Sequence, residues 1–414
     1  MRKGFGRVLW GAAAGIVLLA GCAFAVEADS AVYATSDFTT GRLGVAAGDA
    51  LTQVGTVAGD PGVLVFRKNG VEKVLYREPV NYGAGEDTVT VFDPANWSAP
   101  EANLRMGHNI CGAVASGQHL FCANYYNDGT SSFLTKHDMN DQYKLVASLD
   151  LDDKNAANGS EYVKDVALVD GALFVLVERR DGAWPPAFFP SSLVKVDPSA
   201  LTVQGSAELN PNPSTMAYSS ITGKFYVACV GGTRNAATLP ATSIQTVVPS
   251  TLAVGTFATA ENLPASDRQY AFDQIGVAGG VLFVTGYFNG PVTWPAPNPC
   301  KVYSCTLLAP AMTERGSFTG WINDAAADPE QGRFWVSHRG TGQADGALVL
   351  YGLSGSEVRR FDEAKLGGVP YAVAPLTRTG GGSGGGSGGG CSAAAFSPFA
   401  LFLLLPLLAL RWRR

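Results

Sequence analysis

Chemistry in this chain has to come from its seven cysteines, its four histidines and a set of polar residues that head short apolar segments. Cys111 and Cys122 flank the turn Ser116-Gly117, which would bring two strands face to face, and Cys300 and Cys305 bracket CKVYSC, read as a short loop. Both pairs, Cys111–Cys122 and Cys300–Cys305, are expected as disulfides, since the chain ends read below direct the protein to an oxidising compartment. Cys229 is then left over on an aromatic-rich segment as a buried free thiol. Zinc held by cysteines needs a C-x-x-C spacing, which the sequence lacks. His108, His119, His137 and His338 have no metal-ligand spacing, and no G-x-S-x-G, H-E-x-x-H or phosphate-binding glycine loop occurs. No metal and no cofactor is expected.

The polar residues are more orderly. His108 and Asn109, Lys164 and Asp165, Ser214, Asp273 and Gln274, Asn323 and Asp324, and Tyr371 each precede or open a small apolar segment, such as CGAVA (111–115), DVALV (165–169) or NDAAA (323–327). If those segments converge, their acids, amides and lysine meet at one mouth, where carboxylates can do acid–base work or bind a ligand. The competing reading is that the mouth is polar only to solvate a channel. Two further stretches, 179–192 and 288–305, carry Trp184, Phe188, Phe189 and Trp294 among prolines. Aromatics in stiff loops give contact area at low entropic cost, so these are expected recognition residues for a partner or glycan. A small lid folded on itself is the alternative.

The elements that would position these groups form a repeat. SGQHLFCANYY (116–126), VDGALFVLVE (169–178), ITGKFYVACV (221–230), AGGVLFVTGYF (278–288) and EQGRFWVSHRG (330–340) each place alternating aromatic and aliphatic residues after a glycine-bearing turn. With His119, Ala172, Lys224, Val281 and Arg333 equivalent, the spacings are 53, 52, 57 and 52. A period near 50 built of several short strands predicts a β-propeller of four-stranded antiparallel blades. Small inner strands suit the crowded axis. Six complete blades can be traced. AVYATSDFTTGRLGVAAGDALTQVGTV (31–57) lacks an inner strand, and VPYAVAPL (369–376) is an inner strand with nothing after it. Together they predict a seventh blade made from both termini, which removes exposed sheet edges. Residues 29–378 are expected to be this all-β domain.

That stretch resembles the seven-bladed YVTN/lactonase-like superfamily: a Tyr-Val-type strand, a polar turn, a Gly-x-Leu-x-Val strand and an outer strand. The resemblance implies an architecture shared by enzymes, binding modules and scaffolds.

The ends speak to destination. Residues 1–28 read as a signal peptide, with Arg2, Lys3 and Arg7 before a short apolar run and the small residues AFA at 23–25. LAGC (19–22) is similar to a bacterial lipobox, which would place lipid on Cys22. Residues 379–390 read as a Gly/Ser linker, and 391–414 as Cys391, an apolar run at 393–410 and Arg411, Arg413 and Arg414. An apolar run of about 18 residues just spans a bilayer. The order of linker, cysteine, span and arginines resembles the Gly-rich C-terminal sorting tags of bacterial surface proteins, closest to the type found in Synergistetes. It implies cutting near Cys391 by a sorting protease at the membrane and transfer to the cell surface. An uncleaved membrane anchor is the alternative.

The net charge of −5 and the absence of a basic stripe argue against nucleic acid. The expected function is a non-enzymatic, surface-displayed binding module for a protein, glycan or small ligand. The alternative is a lactonase-like hydrolase of a small extracytoplasmic substrate.

Overall fold

The computed structural model describes residues 29–80, 85–125, 133–151, 159–181, 186–232, 241–289 and 298–377. Residues 1–28 with Cys22, the segment from 378 onward with Cys391 and its apolar run, and Trp184 and Trp294 lie outside those residues. Among the described residues no helix is long and apolar enough to cross a membrane.

Alternating β-branched, aromatic and small residues favour strands, and here they make seven four-stranded antiparallel sheets. The chain is a seven-bladed β-propeller. Blades 2 to 7 cover 62–105, 110–150, 160–209, 213–259, 270–319 and 321–362, each a meander running from the axis outward. Blade 1 is built from both termini. Ser30–Ser36, Gly41–Ala47 and Ala50–Val57 supply its second, third and outer strands, and Pro370–Leu376 supplies the inner one. The closing register sets Ser30 opposite Leu376 and Tyr33 opposite Val373.

Seven apolar clusters, one between each pair of neighbouring blades, form the core. Second strands provide the large rings. Phe283 of blade 6 stacks on Phe334 of blade 7 with centroids 5.0 Å apart, and Phe174 meets Phe225 at 4.9 Å. Inner strands touch one another in a closed ring, which their Ala and Gly residues permit.

The expected disulfides do not form, and all five described cysteines are buried free thiols. CKVYSC is no loop. It lies within the strand Pro299–Thr306, where Cys300 and Cys305 are an odd number of residues apart and point to opposite faces. Cys300 packs between blades 6 and 7, and Cys305 between blades 5 and 6. In blade 3 Cys122 sits opposite Ala113, not Cys111. Cys111 occupies a bulge facing blade 4, where its Sγ donates to Val163 O at 3.2 Å, while Cys122 packs toward blade 2. Cys229 is a buried free thiol, as expected, and burial pushes its pKa up.

Candidate functional site

Six of the seven inner strands carry a β-bulge near their first residues, at the end we call the upper face. The bulges fall at Cys111, Lys164, Ser214, the pair Asp273 and Gln274, Asn323 and Tyr371. A bulge re-aims side chains and breaks the ladder locally, so backbone N–H groups there need other partners. The side chains beside the bulges provide them, and they do so between blades.

Asp165 takes the N–H of Val166 and that of Met216 in blade 5. Ser214 donates to Asp273 of blade 6 at 2.7 Å, and Thr215 accepts from Ile275 N at 2.9 Å. Gln274 Nε2 donates to Asn323 O of blade 7 at 2.9 Å. Asp324 accepts from Val373 N of blade 1 at 2.8 Å. In blade 2, Asp87 accepts from Asn109 N and Ile110 N of blade 3 at 2.9 and 2.8 Å. The acids and amides that the sequence reading assigned to a channel mouth thus bond to backbone and side-chain groups, several of them in the next blade. Asp165, Gln274 and Asp324 are fully buried. Burial pushes the Asp165 carboxyl well up from its ordinary range.

Lys164 projects from its bulge to Glu178 on the second strand of blade 4, 3.2 Å away, and lies 4.9 Å from the centre of the Tyr125 ring. Arg180 flanks the same carboxylate at 3.4 Å and sits over Tyr162. This is a closed ion-pair and aromatic cluster at the seam of blades 3 and 4.

The corner formed by blades 7, 1 and 2 is different. Arg77 lies on the strand Val71–Val80, paired with Gly62 of the inner strand. A Cβ at Gly62 would stand 2.5 Å from Arg77 Nε, so only glycine leaves the guanidinium room to cross the inner strand. Arg77 is 2 % exposed, yet its Nε and Nη1 have no hydrogen-bond partner among the described residues. Asp60, in the link between blades 1 and 2, bonds the Tyr371 hydroxyl, while its buried Oδ1 also has no partner there. Burial raises the Asp60 carboxyl, and the charges of Arg77 and Arg339 draw it back down.

Arg339 ends the second strand of blade 7. Its guanidinium lies 4.0 Å from the centre of the Phe38 ring and 5.9 Å from that of Trp321. Burial lowers its pKa. Phe38 adopts φ +72°, which a bulky residue rarely does. The preceding Asp37 holds that turn by accepting from Thr39 N at 2.8 Å and Thr40 N at 2.7 Å. Bonds from the Thr39 hydroxyl and these N–H groups hold the Asp37 carboxyl down to a pKa of about 2. Phe38 also meets Tyr371 edge to face at 5.9 Å. The corner thus joins two guanidiniums, one incompletely bonded carboxylate and an aromatic face. Of its members the sequence reading named only Tyr371. Arg77 left one trace: a charge at the same strand parity as Leu75, where the core requires apolar residues.

Phe188 and Phe189 are not in a loop. They begin the strand Phe188–Asp197, opposite Arg180 and Arg179, and are half-buried. Phe189 lines a cavity of about 600 Å³ at the seam of blades 3 and 4, beside the ion pair of Glu161 with Arg179.

No family model and no curated protein matches this chain. Solved structures match its fold. One, described as a candidate 6-phosphogluconolactonase of Bacteroides fragilis, aligns with TM-score 0.57 at 11 % identity over 84 % of this chain and 98 % of its own. A protein of unknown function from Desulfotomaculum acetoxidans aligns with TM-score 0.50 at 10 % identity over the same shares. At such identities the likeness extends to the fold alone.

Proposed function

We propose that the protein is a binding module whose ligand enters the upper face at the corner of Arg77, Arg339, Asp60 and Phe38. The observation that carries this reading is the buried Arg77 with two unsatisfied donors. Asp60 and Asp87 lie near enough to offset the charge, but buried N–H donors left unbonded are costly, and a ligand acceptor removes that cost. A carboxylate or phosphate suits the two guanidiniums. A hydroxyl suits Asp60 Oδ1, and an apolar sugar face suits Phe38. The ligand class is therefore a small hydroxylated acid. A hydrolase would need a carboxylate poised at the reacting atom; Asp165 and Asp324 are engaged with backbone N–H groups, so that role would fall to Asp60.

Calorimetric titration of the full-length protein with gluconate and with inorganic phosphate tests the reading, with glucose as the neutral control. At least one anion should bind, glucose should not, and Arg339→Ala should weaken binding by tenfold or more. Failure of both anions to bind, or binding indifferent to Arg339→Ala, overturns it. Sustained turnover of a gluconolactone would replace it with the hydrolase reading.

A further inference from the structure

We propose that the arginine corner takes up its anionic ligand together with a proton, which goes to Asp60 Oδ1. The proposal rests on the corner being an anion site and states what the anion brings with it.

The balance of charge carries the argument. The acids whose charge reaches Arg77 and Arg339 are Asp60, which feels both guanidiniums, and Asp87, which feels Arg77. With both acids ionised, two cations face two anions and the corner is neutral. The other charged groups nearby do not change this. Glu78 follows Arg77 in the strand and so points to its opposite face, where it accepts from Ala58 N at 3.0 Å and from the Tyr76 hydroxyl. Asp345, in the turn after Arg339, accepts from Thr341 N at 2.7 Å. His108 acts on Asp87. The residues that follow the Arg77 strand, Asn81, Tyr82, Gly83 and Ala84, carry no charge.

An anion entering beside the guanidiniums also meets the Asp60 carboxylate. Like charges in a buried site disfavour each other's ionised forms, and an uncompensated buried charge is costly. A proton from solvent removes both costs. Asp60 and Asp87 are the two carboxylates that could receive it, and their bonding separates them. Each Asp87 oxygen accepts a backbone N–H, from Asn109 at 2.9 Å and from Ile110 at 2.8 Å, and such bonds favour the ionised form. Asp60 is 5 % exposed, takes the Tyr371 hydroxyl, and has no partner for Oδ1 among the described residues. Once protonated, Oδ1 becomes a donor to a ligand oxygen, in addition to the unbonded Nε and Nη1 of Arg77.

The direction of the pH dependence follows. Burial raises the Asp60 carboxyl against the pull of Arg77, Tyr371 and Arg339, so it titrates above the ordinary aspartate range. Affinity should be greatest on the acid side. It should fall by about tenfold per pH unit wherever the free protein is ionised at Asp60 and the complex is not.

The test is calorimetric titration of the full-length protein with gluconate and with sulfate, neither of which titrates in that range. Repeating it in buffers of different ionisation enthalpy counts the protons exchanged and needs no variant. Binding should take up at least about half a proton and weaken as pH rises. Asp60→Asn cannot ionise, so it should bind without proton uptake and with a flat pH profile. An anion that binds the wild type with no proton uptake and equal affinity across the range overturns this inference; if Arg339→Ala still weakens that binding, the anion site itself stands. Uptake that persists in Asp60→Asn also overturns it, since the proton would then sit elsewhere. Failure of both anions to bind at any pH overturns this inference and the anion site beneath it.

Discussion

Asp165 shows how one residue can meet the sequence signature of an active-site acid and serve the fold. It is fully buried, and its partners are two backbone N–H groups. Burial raises its pKa in the folded state, so the native protein holds that proton more tightly than the unfolded chain. The stability this contributes is complete below the ordinary aspartate range and is lost as pH rises through the folded value. Asp165→Asn keeps an acceptor and cannot ionise, so denaturant midpoints should show it gaining on the wild type as pH rises above the ordinary aspartate range. Asp165→Ala leaves two buried N–H groups unpaired and should cost about 2–4 kcal/mol at acid pH, with the deficit shrinking as pH rises and the wild type loses its own contribution. Parallel pH profiles for wild type and Asp165→Asn would mean that no proton is held there.

At the scale of the element, the repeated bulge is what converts an inner strand into a coupling device. It frees N–H groups, and the neighbouring blade supplies or receives the side chain that satisfies them. Blade 3 shows the spatial condition. A Cβ on Gly112 would sit 2.7 Å from Asp165 Oδ1 and 3.0 Å from Val166 N. Gly112→Ala should therefore force blades 3 and 4 apart and lower stability by about 1–3 kcal/mol. Gly55→Ala is the control. Its Cβ would meet nothing closer than Leu43 Cβ at 3.9 Å, and thermal melts should place it within about 0.5 kcal/mol of wild type.

Closure belongs to the whole molecule. The strand Pro370–Leu376 completes blade 1, and Ala372, Val373 and Leu376 are each buried in it. Each large apolar side chain buried contributes about 1.5–3 kcal/mol, and the lost ladder would leave the Ser30–Ser36 edge unpaired. A chain lacking 370–376 should melt at least about 10 °C lower or lose its single cooperative transition. A chain ending after Thr377 should keep the wild-type melting transition, measured by circular dichroism. Equal melting of both truncations would show that closure is dispensable.

The architecture was legible because it is periodic. Glycine turns before Phe121, Phe174, Phe225, Phe283 and Phe334, with alternating parity, mark second strands, and the complementary fragments at 31–57 and 369–376 mark the closing blade. Strand parity is a local property that side-chain order carries on its own. The direction of Cys300 and Cys305 was legible by the same rule, had the segment been read as a strand. What only the tertiary structure decided is which polar side chains are already bonded. Asp165, Asp324 and Gln274 satisfy backbone groups of other blades 49 to 51 residues away, whereas Arg77, Asp60, Arg339 and Phe38 come from three blades to one corner. No linear spacing links those four, because the ring places position 38 beside position 339 only after the last strand has paired with the first.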